Sequence, residues 1–473
     1  MSTSAAAPAV SSGLSTVKKV GWVLSLALPA LILLTVKGEG ITPEMVIFLA
    51  LTIWAVTCWA TEILPPPLVA VMLPIFYFSF KVAPAPIALA KPFGTVIPWA
   101  IIGALLIGLL AQKTGLAKRI VLKCIVVTGS SYAGFFLALF ISGIILTPLV
   151  PSATAKSAIM LALGVGACEA LNLKKGTKEA SAVIFASFLA VCAPRFAILT
   201  ASLENLTVTR LMTSVTGDVT SYAEFAIHNF IPSVIYSALS MLLVLFMVRG
   251  KGKLDKAELI RQYEAMGPTT REEKIAAFIA LLAVVLAATS KFHGLPGMHL
   301  FPAVAALAFV PGIKILDEKD FSSIAFPMIF FVTGSLSIGF VAGHVGVGKW
   351  LSDQMLPIAH SMDGVMGLSI ISYIFAVILN FILTPLAAQA LMTVPLTDLA
   401  VSLNMQPYSL IYSFLYGADQ YLFAYEFALL LFFCSTGHLR MPHVIKLLAI
   451  RMILGPVFLA LVAIPYWKLI GIA

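Results

Sequence analysis

The stretch ILTPLVPSATAKS, which runs from Ile145 to Ser157, interrupts two long apolar segments of the chain. It contains two prolines, four hydroxyl side chains and one lysine, whereas the residues around it are mostly apolar. A helix continues poorly through Pro148 and Pro151, because each proline removes a backbone donor and disfavours helix in the residue before it. The first five letters recur from Ile382 to Leu386, so we expect a second interruption of the same kind.

The composition is that of a membrane protein. Of the 473 residues, 60% are hydrophobic and only 11% are charged, and the mean hydropathy is +1.03. A soluble domain carries about 25% charged residues. Apolar runs long enough to cross a bilayer, of about 18 residues or more, occur repeatedly. Because backbone groups in lipid must be paired within their own segment, we predict an all-α polytopic membrane protein with about 11 transmembrane helices.

The distribution of basic residues predicts the orientation of the chain. The net charge is +9, and the one long hydrophilic loop, residues 249–274, carries seven lysines and arginines. The positive-inside rule makes this loop cytoplasmic, and it explains the charge without nucleic-acid binding. We expect a cytoplasmic N-terminus in the inner (plasma) membrane. The five cysteines form no CxxC pair, so we expect free thiols and no metal site.

The two halves of the chain contain an internal repeat. Four residues of the first half match four of the second at a constant separation and without gaps: Gly103, Gly108, Gly115 and Lys118 match Gly334, Gly339, Gly346 and Lys349. If each half crosses the membrane an odd number of times, the copies are inverted. Inverted repeats that are broken by glycine or proline are typical of secondary transporters. The breaks are expected to line a shared cavity, where helix N-termini attract anions. The alternative is that the breaks are packing kinks.

Four motifs, in order along the chain, carry a resemblance to a known family. They are Trp59-Ala-Thr-Glu62-Ile-Leu-Pro65, the glycine-rich segment from Gly103 to Arg119, Pro151-Ser-Ala-Thr154-Ala, and Pro465-Tyr-Trp-Lys-Leu469. Together they resemble the motifs of the divalent-anion/sodium symporter (DASS) family, whose members carry dicarboxylates, citrate or sulfate. Each motif is short, and the ordered set is more specific than any one of them.

The resemblance implies an architecture that composition alone does not. It implies two inverted repeats that each carry a re-entrant hairpin, an elevator-type motion of a transport domain against a scaffold, and a homodimer. We assign 1–17 to a disordered tail, 18–95 to scaffold helices, 96–248 to the first repeat, 249–274 to the basic loop, 275–326 to second-half scaffold helices, and 327–473 to the second repeat and final helix.

The chain departs from the family pattern at both hairpin tips. In the family, the asparagine of a Ser-Asn-Thr triad helps to bind the substrate carboxylate, and here Ala153 stands in its place. The second triad is expected near Pro385-Leu386-Ala387, which has neither an amide nor a hydroxyl. Counting from the recurring ILTPL places Gln389 opposite Ser152. The family's exchanger branch has arginine where Lys156 stands, so the resemblance favours exchange and puts sodium coupling in doubt.

Polar residues inside apolar runs supply the candidate site. A charge within a membrane segment costs several kcal/mol, about 2.5–3.5 on insertion scales, so such residues are functional candidates by default. Arg195 suits a bidentate carboxylate clamp, and Lys156 suits a counter-charge. The predicted substrate-binding residues are Ser152, Thr154, Lys156, Arg195, Gln389 and Thr393. The predicted cation-binding or ion-pairing residues are Asp419, Gln420 and Glu426, with Lys156 or Arg195 as partners. The structural alternatives are backbone hydrogen bonding, snorkelling and internal ion pairs.

The predicted function is secondary active transport of small dianions such as succinate, malate, 2-oxoglutarate or citrate, by exchange. The alternative is a sodium- or proton-coupled symporter of these anions, of sulfate, or of a sulfonate. No cofactor is expected, apart from Na⁺ as a candidate coupling ion. An anion channel is a third hypothesis. The sequence contains no catalytic signature for a membrane enzyme, such as HExxH, a P-loop or GxSxG.

Overall fold

The computed structural model describes residues 16–38, 40–61, 63–129, 131–150, 153–248, 256–295, 297–362 and 364–473. Within these ranges the regular structure is helical, and no strand occurs. Eight helical stretches in them are long and apolar enough to cross a membrane. The all-α membrane fold predicted from composition is therefore confirmed. The number of crossings, the re-entrant hairpins and the elevator-type motion stay predictions, and residues 1–15 of the predicted N-terminal tail lie outside the described residues.

The helices follow one another with short connections. The first half contains α1 (Thr16–Thr35), α2 (Pro43–Thr61), α3 (Pro66–Ser79), α4 (Lys91–Phe93), α5 (Val96–Lys113), α6 (Leu116–Val127), α7 (Tyr132–Leu149), α8 (Ala153–Ala170), α9 (Lys178–Cys192), α10 (Leu203–Thr216), α11 (Tyr222–Leu245) and α12 (Ala257–Ala265). The second half contains α13 (Arg271–Ala288), α14 (Ser290–His293), α15 (Leu300–Ala306), α16 (Glu318–Ser323), α17 (Phe326–Val345), α18 (Val347–His360), α19 (Gly364–Asn380), α20 (Pro385–Ser402), α21 (Tyr408–Ala418), α22 (Ala428–Cys434), α23 (Met441–Phe458) and α24 (Ile464–Leu469).

The repeat seen in the sequence is present in the structure as a matching order of elements. The series α5 to α11 and the series α17 to α23 each contain a long helix, an amphipathic helix, a helix pair and a broken helix. Gly115 joins α5 to α6 with a φ of 79°, and its match Gly346 joins α17 to α18 with a φ of 80°. Glycine adopts this left-handed conformation without strain, and this explains why glycine recurs at the two positions.

A second pair of matched glycines lets helices pack closely. A β-carbon on Gly103 would lie 2.4 Å from the carbonyl carbon of Phe301 in α15, and one on Gly334 would lie 2.0 Å from the carbonyl oxygen of Ala70 in α3. Both distances are far below van der Waals contact. The long helix of each repeat is therefore pressed against a helix outside the repeat, and no larger residue fits at these positions.

Replacing Gly103 with alanine is expected to destabilise the protein, because the added methyl group overlaps the backbone of α15. The expected loss in the free energy of unfolding is about 1–3 kcal/mol. The matched control is Gly166→Ala in α8, where a β-carbon would meet no atom within 4 Å. That control should be neutral or stabilising by up to about 1 kcal/mol, because alanine favours helix. Thermal unfolding in detergent measures both, and equal midpoints would contradict the packing argument.

Two details differ from the sequence predictions. Pro148 does not end its helix. It lies in the last turn of α7, which continues to Leu149. The first ILTPL therefore lies inside a helix, whereas in the second, residues 382–384 lie between helices and Pro385 begins α20. The predicted basic loop also contains a helix, since α12 lies within it, and Lys256 donates hydrogen bonds to the carbonyls of Ile125 and Thr128.

Candidate functional site

A cavity of about 180 Å³ lies where the broken segments of both repeats meet, and we call it the central cavity. Ala153, at the start of α8, and Leu386, in the first turn of α20, both line it. The remaining lining residues are Ile101, Ala104, Leu105, Arg195, Thr200, Ala201, Ser202, Leu203, Glu204, Leu206, Met328, Phe331, Phe427, Ala428 and Leu429. The structure thus brings the two predicted interruptions to one place.

Three helices of at least fourteen residues begin at the central cavity. They are α8, α10 and α20, whose first-turn residues Ala153, Leu203 and Leu386 line it. The breaks arise where the sequence opposes helix: Pro194 follows α9, and Pro385 opens α20 after the capping residue Thr384. Helix N-termini carry free N–H groups and a partial positive charge, so this arrangement suits an anion.

Lys156 is the most unusual charge in the described part of the chain. It lies one turn into α8, its side chain is 1% exposed, and its ammonium has no hydrogen-bond partner. It is close enough to Cys192 and Arg195 to interact with them electrostatically. A buried charge without a partner is costly, and an anion in the neighbouring cavity would offset that cost.

Arg195 is held in an ion-pair network instead of pointing freely into the cavity. Its Nη2 donates to Oδ1 of Asp419 at 2.8 Å, and its Nη1 lies 3.4 Å from Oε1 of Glu204. The guanidinium also stacks 4.8 Å from the ring centroid of Phe427. Of the two pairings that the sequence allowed for Asp419, the structure shows the one with Arg195.

A second arginine completes the network. Arg451, in α23, donates from Nη2 to Oδ2 of Asp419 and from Nη1 to the Asp419 carbonyl at 2.7 Å. Its Nη1 also lies 3.4 Å from Oε1 of Gln420. The hydroxyl of Tyr421 donates to Oδ1 of Asp419 at 2.9 Å. Asp419 is 0% exposed, so two cations and one hydroxyl satisfy a fully buried carboxylate.

Sequence reasoning missed two members of this network. Glu204, which also accepts a hydrogen bond from Ser202, was not among the predicted residues. Arg451 lies in the final apolar span and was not singled out, although an arginine inside such a span is itself the signal. The four charged groups, Arg195, Glu204, Asp419 and Arg451, balance one another. Lys156 is therefore the unbalanced cation beside them.

The remaining second-half candidates differ in how they are satisfied. Gln389 is 0% exposed, and neither amide atom has a partner. Thr393 donates to the carbonyl of Gln389 at 2.6 Å, so its hydroxyl is satisfied within its own helix. Gln420 donates to the hydroxyl of Tyr236 at 2.5 Å. Glu426 accepts from the amide of Leu422 at 2.9 Å through Oε2, whereas its buried Oε1 has no partner.

The hairpin tips are described unequally. Ser152 lies outside the described residues, and Thr154 is the second residue of α8. At the second tip Thr384 caps α20 by accepting a hydrogen bond from the amide of Ala387 at 3.4 Å. The second tip therefore has a hydroxyl, one residue before the predicted triad. Gln389 lies one turn inside α20. Its predicted match, Ser152, lies outside the described residues, so this match stays a prediction.

A model of the family described as the sodium:sulfate symporter transmembrane region matches residues 16–473. The chain belongs to this family. The family resemblance of the four sequence motifs is therefore confirmed, and the protein is a membrane transporter and not an enzyme.

Some proteins with a similar sequence are named as dicarboxylate transporters. The sodium-dependent dicarboxylate transporter SdcS of Staphylococcus saprophyticus is 25% identical over 82% of this chain and 79% of its own length. Dicarboxylate transporter 1 of the spinach chloroplast is 26% identical over 59% of this chain and 49% of its own length. A membrane protein of Cupriavidus necator is 23% identical over 80% of this chain and 78% of its own length.

Two solved structures share the overall fold. The YdaH transporter of Alcanivorax borkumensis superposes with a TM-score of 0.54 and covers 97% of this chain and 99% of its own, at 12% identity. MtrF of Neisseria gonorrhoeae gives a TM-score of 0.55 and covers 95% of this chain and 96% of its own, also at 12% identity. At these identities the likeness concerns the fold alone.

Proposed function

We propose that the protein is a secondary active transporter that exchanges small dianions, with dicarboxylates such as succinate, malate or 2-oxoglutarate as its substrates. The observation that carries the proposal is the convergence of the N-termini of α8, α10 and α20 on the central cavity. Their free N–H groups suit a carboxylate. The relatives named as dicarboxylate transporters support this substrate class.

Lys156 is the argument for exchange. With the cavity empty, its ammonium is a buried charge without a partner. Moving such a charge across the low-dielectric membrane interior is costly, so the empty site returns slowly. One carboxylate of a bound dianion pairs with the ammonium and the other faces the helix N-termini, so the loaded site moves in either direction. This fixed cation takes the role that a co-transported cation has in a symporter.

A sodium- or proton-coupled symporter is the second candidate. It is favoured by the buried, unpartnered Oε1 of Glu426, which suits a proton or a cation. The relatives named as sodium-dependent transporters point the same way. We further propose, from the family resemblance, an elevator-type motion, a homodimer, and an inner-membrane location with a cytoplasmic N-terminus.

Uptake of labelled succinate into proteoliposomes tests the proposal. Half of the vesicles are preloaded with unlabelled succinate, and each set is measured with and without an inward sodium gradient. We expect uptake only into preloaded vesicles, at a rate that does not depend on sodium. Protein-free vesicles are the control for leakage.

The other outcomes separate the alternatives. Sodium-driven uptake into empty vesicles would replace exchange by symport, with Glu426→Gln as the next variant. Uptake that grows linearly with concentration, without stimulation by internal substrate, would indicate a channel. Absence of uptake for succinate, malate, citrate and sulfate would contradict dianion transport altogether.

A further inference from the structure

Two polar cavities lie at matched positions of the two repeats. The first-repeat cavity, of about 290 Å³, lies between Gly115 and Lys118 on one side and α8 on the other. The second-repeat cavity, of about 370 Å³, lies between Gly346 and Lys349 on one side and α20 on the other. Gly115 and Lys118 are the sequence matches of Gly346 and Lys349. The repeat has therefore produced one cavity per copy.

The same helices lead from the central cavity to the second-repeat cavity. Along α10, Leu206 lines the central cavity and Ser214 lines the second-repeat cavity. Along α17, the corresponding residues are Phe331 and Phe340. Along α20, Leu386 and Asp398 do the same. Arg210 lies on α10 one turn from both Leu206 and Ser214, so the three residues share one face of the helix.

Arg210 lies between the two cavities without a fixed anionic partner. Its Nε is buried and has no hydrogen-bond partner, and its guanidinium lies 5.8 Å from the ring centroid of Phe340. The ammonium of Lys91 approaches the same ring, at 5.1 Å. Two cations thus converge on one aromatic ring at the wall of the second-repeat cavity, an arrangement that leaves their positive charge available to an anion.

The charges around the second-repeat cavity favour an anion. Lys91, His344, Lys349 and Asp398 line it, and Asp353 is close enough to interact with Asp398 electrostatically. Lys349 also interacts electrostatically with Asp398, so the two acids lie on its side of the cavity. Arg210 and Lys91, on the Phe340 side, remain available. The first-repeat cavity has only one basic side chain in its lining, Lys118.

We infer that the second-repeat cavity is a separate anion-binding station for small dianions, with Arg210 as its innermost ligand and Lys91 as its outer one. The station receives the dianion on one side of the membrane and passes it to the central cavity. It rests on the proposed function for the identity of the anion but not for the binding itself. Because the first-repeat cavity lacks this cation pair, the two sides of the transporter differ in affinity.

Thiol labelling of the purified protein in detergent tests the station without transport. Ser214→Cys, in a Cys434→Ser background, places a thiol in the cavity wall, and the other four cysteines are buried. An anionic methanethiosulfonate reagent labels it, and succinate or sulfate is added as protectant. We expect either dianion to slow labelling. We expect Arg210→Gln to raise the concentration for half-protection about tenfold, as for loss of one charge-assisted hydrogen bond.

Three further variants test which cavity and which side chains cause the protection from labelling. Lys91→Gln, an exposed change that leaves the interior intact, should also weaken protection, whereas Lys118→Gln in the first-repeat cavity should not. Lys156→Met disables the central site and should leave protection unchanged; loss of protection in that variant would assign the effect to the central cavity and overturn the station. The station would also be overturned if neither dianion slowed labelling of Ser214→Cys when no cavity residue has been replaced. Protection from labelling without succinate transport would support the station and contradict the proposed function. Succinate transport without protection from labelling would support the proposed function and contradict the station.

Discussion

Replacing Lys156 with methionine is expected to lower succinate exchange by about 100-fold, which corresponds to about 2.7 kcal/mol of lost interaction with the bound anion. Methionine keeps much of the side-chain volume of lysine but removes its charge. The ammonium has no hydrogen-bond partner among the described residues, so its removal breaks no hydrogen bond there. The thermal midpoint should therefore stay the same or rise, because an uncompensated buried charge is removed. Exchange in proteoliposomes and thermal unfolding in detergent measure the two effects.

The combination of lost transport and unchanged stability separates function from structure. Lys156→Arg keeps a cation and should retain part of the exchange rate. Lys175→Met, which removes an exposed lysine beyond the end of α8, should behave like the unmodified protein. Normal exchange in Lys156→Met would show that this residue does not interact with substrate. A collapse of stability would assign it a structural role instead.

Replacing Asp419 with asparagine is expected to destabilise the protein by about 3–5 kcal/mol, because it leaves Arg195 and Arg451 buried without their shared counter-charge. The side chain keeps its shape, so packing is not the cause. Protein yield and the thermal midpoint in detergent measure the effect. The matched control is Asp218→Asn, an exposed aspartate after α10, which should leave both unchanged.

A fourfold replacement distinguishes charge balance from the presence of ions. Arg195→Met, Glu204→Gln, Asp419→Leu and Arg451→Met together remove both cations and both anions of the network. Buried ion networks replaced by apolar groups of similar volume are often as stable as the original. We expect the fourfold variant to be more stable than Asp419→Asn alone. If it is less stable, specific hydrogen bonds to Asp419 matter more than charge balance.

The sequence predicted the fold and supplied the candidate site residues because both depend on local conflicts. A membrane segment that contains proline, glycine or a charge contradicts its own surroundings, and Lys156, Arg195 and Asp419 were recognised in this way. The matched glycines were equally visible, since Gly115 and Gly346 stand at turns that no other residue adopts without strain. These signals require no knowledge of tertiary structure.

The partners of these residues were not predictable in the same way. Arg195 and Asp419 are 224 positions apart, and only the packing of the two broken helices shows that they touch. Arg451 was missed although it interrupts an apolar span, because its partner Asp419 lies in another segment. Thr384 was missed because the capping hydroxyl lies one residue before the predicted triad. Local sequence patterns do not identify residues whose role depends on the exact start of a helix or on contacts with distant parts of the chain.

The ion network has a practical consequence for recombination. Arg195 and Glu204 belong to the first half of the chain, whereas Asp419 and Arg451 belong to the second, and Asp419 pairs with an arginine from each half. A chimaera that joins this first half to the second half of a distant homologue inherits Arg195 without a guarantee of its counter-ion. Crossovers between parents must therefore keep these four positions from one parent, even where the loop between the halves is the convenient place to cut.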